Sequence, residues 1–231
     1  MKRIFKFFHN DKPSGLVKVA DKDEYFSLFK GKTINEDEKH HKAYEKAWDA
    51  RKFEIDNYWK RTTYFWAFQI ISFTGYLGVL NSASYNSVPV KNPEVLFCII
   101  TVGYLTAISW ALINIGSKFW QRHWEKHIDM LEDAVTGPLY KTLYAHKTTR
   151  TFSVSKINEM ISRYFVIIWT LLGLKYFIDH LTICGDINDI AWIESIAFLS
   201  AIIFTYGMFN GYGRGNFGAS DFEYYIRKVF K

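Results

Sequence analysis

Val95-Leu-Phe-Cys-Ile-Ile-Thr-Val-Gly-Tyr-Leu-Thr-Ala-Ile-Ser-Trp-Ala-Leu-Ile-Asn-Ile-Gly-Ser117 contains no charged side chain. As a helix it is long enough to cross a hydrocarbon core about 30 Å thick, which takes roughly 20 apolar residues. Working outward, Thr62–Leu80 (T-T-Y-F-W-A-F-Q-I-I-S-F-T-G-Y-L-G-V-L) and Ser195–Gly213 (S-I-A-F-L-S-A-I-I-F-T-Y-G-M-F-N-G-Y-G) have the same character. A further stretch, Tyr164–Leu174, is shorter. It reaches spanning length over residues 161–181 if Arg163, Lys175 and Asp179 sit near its ends, where long basic side chains reach back to the headgroups. Lys175 and Asp179 are four apart and can pair on one face. The spans expected are therefore 62–80, 95–117, 161–181 and 195–213.

Charge placement agrees with four spans. Of the 29 Lys and Arg, 15 fall in residues 1–61, 8 in 118–163 and 4 in 214–231. The connector 81–94 has one, Lys91, and 179–194 has none but carries Asp179, Asp186, Asp189 and Glu194. The positive-inside rule puts both termini and the middle segment in the cytoplasm. The net charge of +6 and pI near 9.1 then report topology and some attraction to anionic lipid, and no nucleic-acid partner is expected. A uniformly soluble globule and a disordered chain are both excluded. Two cysteines, Cys98 in an apolar run and Cys184 in a connector, make no disulfide framework. Met1–Phe8 is too short and too interrupted for a secretory signal; it reads either as an interfacial anchor built on Phe5, Phe7 and Phe8 or as a frayed end.

Within the basic segments, Asp21 can cap a short helix to about Lys30, with Glu24 at the capping-box position and Gly31 ending it. From Glu36 no Pro or Gly occurs until Gly75, which predicts one helix over about 36–80. On it Tyr44, Trp48, Ile55, Trp59 and Trp66 recur at spacings of 4, 7, 4 and 7. The second span continues past Lys118 with Trp120, Trp124, Ile128, Leu131 and Val135, and Gly137-Pro138 stops it. Two such rods can bury their stripes against each other. A wider stripe also calls for a neighbouring subunit, and Tyr44, Trp48, Ile55, Trp59, Trp120, Trp124, Ile128 and Leu131 are the expected assembly residues. Ser153 or Ser155 starts the third spanning helix. Beyond 213 the glycine-rich 211–218 reads as a flexible exit, followed by a short amphipathic helix over Asp221–Phe230.

Chemistry is sparse. His123-Trp-Glu-Lys-His127 sets two imidazoles four apart, a spacing that can hold a divalent metal, but Trp124 and Lys126 occupy the positions where zinc hydrolases place glutamate. An interfacial or solvated pair is the simpler reading. Asp129, Glu132 and Asp133, with Glu54 and Asp56, could supply acid–base groups; pairing with Arg51, Lys52, Lys60, Arg61 or Lys126 is simpler. No G-x-S-x-G, phosphate-binding G-x-x-x-x-G-K-S/T, H-E-x-x-H or C-x-x-C pattern is present. No catalytic residue, metal or cofactor is expected. Inside the spans Gln69 and Asn114 are candidates either to line a pore or to glue helices, while Gly75, Gly78, Gly103 and Gly116 allow close helix approach.

Ala47-Trp-Asp-Ala-Arg-Lys-Phe-Glu-Ile-Asp-Asn-Tyr-Trp-Lys-Arg-Thr-Thr-Tyr-Phe-Trp66 resembles the approach to the first span in the RipA family of octameric bacterial inner-membrane proteins. His123-Trp-Glu-Lys-His-Ile-Asp-Met-Leu-Glu-Asp-Ala-Val-Thr-Gly-Pro-Leu-Tyr-Lys141 resembles its stretch after the second span, and Ser153-Val-Ser-Lys-Ile-Asn158 its lead into the third. The resemblance covers roughly residues 40–175. It implies a ring-like homo-octamer in a bacterial cytoplasmic membrane and transfers no catalytic residue. The expectation is an all-α membrane protein with four transmembrane helices, the first two extended into the cytoplasm as long helices. Its organisation is an N-terminal segment 1–35, a helical membrane domain 36–213 and a C-terminal tail 214–231. Its partners are other copies of itself and membrane lipids. The expected function is a non-enzymatic scaffold supporting envelope or stress physiology; the alternatives are an oligomeric channel or pore for ions or small solutes and, behind it, a membrane enzyme using the His123/His127 region.

Overall fold

A computed structural model describes residues 16–19, 21–28, 36–85, 93–142, 152–181, 192–210 and 224–227. The expectations for Phe5–Phe8, the middles of the connectors 81–94 and 179–194, Cys184 and the glycine-rich 211–218 lie outside the described residues. Helices dominate: α1 (Lys22–Ser27), α2 (Glu36–Tyr85), α3 (Pro93–Leu131), α4 (Val154–Leu181) and α5 (Trp192–Asn210). A 3-10 turn, Glu132–Ala134, tightens the end of α3. Among the described residues three helices, α3, α4 and α5, are long and apolar enough to cross a membrane. The corresponding stretch of α2 is diluted by Gln69, Ser72, Thr74, Tyr64, Tyr76 and Trp66.

Local chemistry explains the ends. Asp21 caps α1, its carboxylate accepting from Glu24 N at 2.8 Å. The helix stops at Ser27, short of the expected Lys30. Pro93 opens α3 at a position where no backbone donor is needed. Gly137 takes a φ of +70°, which lets the chain turn away after α3. α5 starts three residues earlier than the 195–213 span expected, with Glu194 in its positively polarised first turn.

One correction concerns the C-terminal end. The helix expected over Asp221–Phe230 is instead a strand, β2 (Tyr224–Arg227), antiparallel to β1 (Leu16–Val19) with Leu16 opposite Arg227 and Val19 opposite Tyr224. Apart from this two-stranded ladder every described element is helical, and the all-α class stands. Aromatic and β-branched residues in both segments favour an extended ladder once a second strand is present, and a strand partner more than 200 residues away leaves no local trace.

The chain divides into two compact units, with α2 and α3 contributing to both. One unit comprises residues 58–116 and 151–213. Its core joins Tyr76, Leu96, Phe97, Ile100, Ala107, Trp169 and Tyr176. Trp169 is fully buried, 4.4 Å from the Phe73 ring by centroids. The other unit comprises 1–57, 117–150 and 214–231. Its core joins Tyr25, Tyr44, Ala47, Ile128 and Leu131, with Trp48, Trp124 and Tyr140 packed against them.

Candidate functional site

In the unit built from 58–116 and 151–213, polar side chains form two layers between helices. Gln69 is buried; its Nε2 donates to Thr106 Oγ1 at 2.9 Å and to the Gly103 carbonyl at 3.3 Å. Its Oε1 accepts from Trp169 Nε1 at 2.6 Å. A second layer centres on Asn158, whose Nδ2 lies 2.7 Å from the Tyr58 hydroxyl and 3.2 Å from both Thr62 Oγ1 and Asn114 Oδ1. Asn114 Nδ2 donates in turn to Ser162 Oγ at 3.3 Å. Both amides flagged from sequence, Gln69 and Asn114, are thus engaged inside the chain's own helix bundle. Sequence reading missed Asn158, Ser162 and Trp169, since nothing local marks which polar residues of separate helices share a level.

Between α3, α4 and α5 in the same unit lies a groove of about 520 Å³, walled by Phe97, Tyr104, Trp169, Phe177, Phe198 and Ile202. The hydroxyls of Thr101 and Thr170 on its lining bond back to Phe97 O at 2.9 Å and Val166 O at 2.8 Å. The wall therefore presents mainly hydrocarbon and suits an apolar occupant.

The other unit holds the histidines. His123 and His127 meet edge to face with centroids 4.7 Å apart, and His127 Nδ1 hydrogen-bonds the hydroxyl of buried Tyr25. Trp120 and Trp124 flank the pair. Among the described residues no group of three or more His, Cys, Asp or Glu has a metal-binding arrangement. Burial pushes His123 below the usual imidazole range, and burial together with the neighbouring His123 takes His127 down to about 4. The neutral ring is thus the folded form. Between pH 6.5 and about 4 the unfolded chain binds the extra proton and the folded chain does not, so stability is full above 6.5 and falls as pH drops towards 4. The expected loss is on the order of 3 kcal/mol. His127→Gln should flatten that acid limb in a pH series of thermal unfolding; an unchanged limb would show that the ring does not sense burial.

The carboxylates are engaged in packing and capping. Asp129 pairs with Lys126 at 3.2 Å, and Asp133 with Lys141 at 2.8 Å and Lys22 at 2.9 Å, which hold its carboxyl below the ordinary range. Glu132 is fully buried and accepts from Tyr140 N at 2.6 Å and Lys141 N at 3.1 Å. Arg51 sits between the rings of Trp48 and Tyr140, 5.4 and 5.2 Å from their centroids, and reaches Glu125 at 3.3 Å.

Of the aromatic and aliphatic residues singled out for assembly, Tyr44, Ile128 and Leu131 are buried within the chain's own core. Trp48, Ile55 and Trp124 are half-buried. Trp59 and Trp120 remain exposed. The first five-residue stripe is therefore consumed at its Tyr44 end and open at its Trp59 end.

Spanning-length apolar helices packed through buried polar layers define a helical membrane protein. The model of the octameric membrane protein family (8xMP) matches residues 41–178, more than half of the chain and the whole of α3. The chain belongs to that family. No curated protein and no solved structure matches it.

Proposed function

We propose that this chain is a non-enzymatic integral protein of a bacterial cytoplasmic membrane, and that eight copies assemble into a ring that serves as a scaffold in envelope or stress physiology. The observation that carries this reading is the family match over residues 41–178, which takes in α3 and most of α2 and α4. Four spans are proposed, with both termini and the segment between α3 and α4 in the cytoplasm. The support for counting α2 as a span is its company: Gln69 meets Trp169 and Thr62 meets Asn158, so residues 58–85 lie level with a helix of spanning character. The charge alternation supports the orientation. The non-enzymatic reading draws on the titratable groups of the second unit, which cap, pair and pack.

Extraction in several mild detergents followed by native mass measurement is expected to give a particle of eight 27.2 kDa chains. A persistent monomer across those detergents would defeat the reading. A tag beside Asp186 should react only from the outer side. A channel on the ring axis is the second functional class, but Gln69 and Asn114, engaged inside each copy, do not favour it.

A further inference from the structure

We propose that the outward face of α4 is the seam at which one copy of this chain packs against the next; this deepens the octameric reading and rests on it. Ile157, Met160, Tyr164, Ile167, Leu171, Leu174 and Ile178 follow one another at 3, 4, 3, 4, 3 and 4 residues, and every one is exposed in the single chain. On the opposite side Ser162, Trp169 and Tyr176, seven apart, are buried in the chain's own bundle. An α-helix has 3.6 residues per turn, so a strict seven-residue line drifts by about 20° per heptad unless a supercoiling partner follows it. Large apolar residues at such positions are the knobs of helix–helix packing.

Lipid alone does not account for this line. Arg163, paired with Glu159, and Lys175, paired with Asp179 at 2.6 Å, lie one position away from it near either end. The line runs past both, to Ile157 and Met160 beyond Arg163 and to Ile178 beyond Lys175. Met160 is 70% exposed there, at a level where Arg163 seeks water. α5 offers the contrast. It has no buried residue, and neighbouring positions such as Phe198 and Leu199, or Ile202, Ile203 and Phe204, are exposed together, an apolar surface on several sides with no single line. The matched family region ends at residue 178, so it contains the whole α4 line and none of α5.

A ring around one axis joins unlike faces, so the receiving surface belongs to another helix. Within one copy α2 and α4 keep level, Gln69 with Trp169. At matching depth α2 exposes the small Ala67, Thr74 and Gly78, and a methyl built on Gly78 meets nothing within 4 Å. Ile167 therefore seats by Ala67 of the neighbouring copy, and Leu174 by its Thr74.

The test uses full-length protein in native membranes with Cys98→Ser and Cys184→Ser as background. Ile167→Cys on a copy with one tag is co-expressed with Ala67→Cys on a copy with another, so any bond carrying both tags is between copies. Mild oxidation should give a doubly tagged dimer, as should Leu174→Cys with Thr74→Cys. In parallel, a bimane on Leu171→Cys should resist quenching by doxyl-labelled lipid. An intact eight-copy particle by native mass with neither cross-link, or with a fully lipid-quenched bimane, overturns the seam and leaves the octamer standing. A monomeric mass in the same samples overturns the octamer itself, and the seam with it.

Discussion

Gly103→Ala is expected to destabilise the spanning unit by about 1–4 kcal/mol. A β-carbon on Gly103 would stand 2.3 Å from Trp169 Cε2, 2.5 Å from Cζ2 and 2.6 Å from Cδ2. These are rigid ring atoms. The indole cannot swing aside freely, because Phe73 lies 4.4 Å away by centroids and Nε1 is tied to Gln69 Oε1 at 2.6 Å. Overpacking costs about 1–3 kcal/mol, and a lost interhelical hydrogen bond within a membrane adds about 0.6–1.7. Alanine's better helix propensity returns about 1. Thermal unfolding in detergent, followed by tryptophan fluorescence, measures the loss. Trp169→Leu in the same chain should relieve the clash, so that the pair costs less than the sum of the single changes. A Gly103→Ala protein as stable as the parent would mean that α3 and α4 do not approach this closely.

Glu132→Ala is expected to cost the other unit about 3 kcal/mol. The carboxylate is fully buried and accepts from two backbone donors, Tyr140 N and Lys141 N, just beyond the Gly137 turn. Removing it deletes both bonds, and hydrogen bonds to a charged group contribute about 1.5–3 kcal/mol each. Glu132→Gln keeps one acceptor oxygen and should lose less. Hydrogen exchange reads the effect at the amides themselves: those of Tyr140 and Lys141 should exchange at least about tenfold faster in the alanine variant, since each 1.4 kcal/mol is a factor of ten. Unchanged protection at both would show that the turn holds without the clamp.

The long helices could be read from the residues because their causes are local. Missing Pro and Gly between Glu36 and Gly75 and a Gly137-Pro138 stop are both short-range signals. The Lys175–Asp179 pair follows from helical spacing alone. The stripes that carry Tyr44 on α2 and Ile128 and Leu131 on α3 announced that they needed burial, and the structure supplied that from within the same chain. Tyr25 could not be placed in that way. It belongs to a separate short helix, and its bond to His127 joins residues 102 apart in sequence. The β1–β2 ladder was misjudged for the same reason: a four-residue segment has no decisive preference until its partner arrives.

Taken alone, the residue order determined where hydrocarbon can take up the chain and which stretches run as rods, because these depend on runs and periods along one strand of sequence. Tertiary structure decided which polar atoms share a level. It drew Gln69 and Asn114 into the bundle, set the Trp169 ring against Gly103, and left the α4 line facing outward, since each of these depends on the mutual rotation of helices that no single helix encodes.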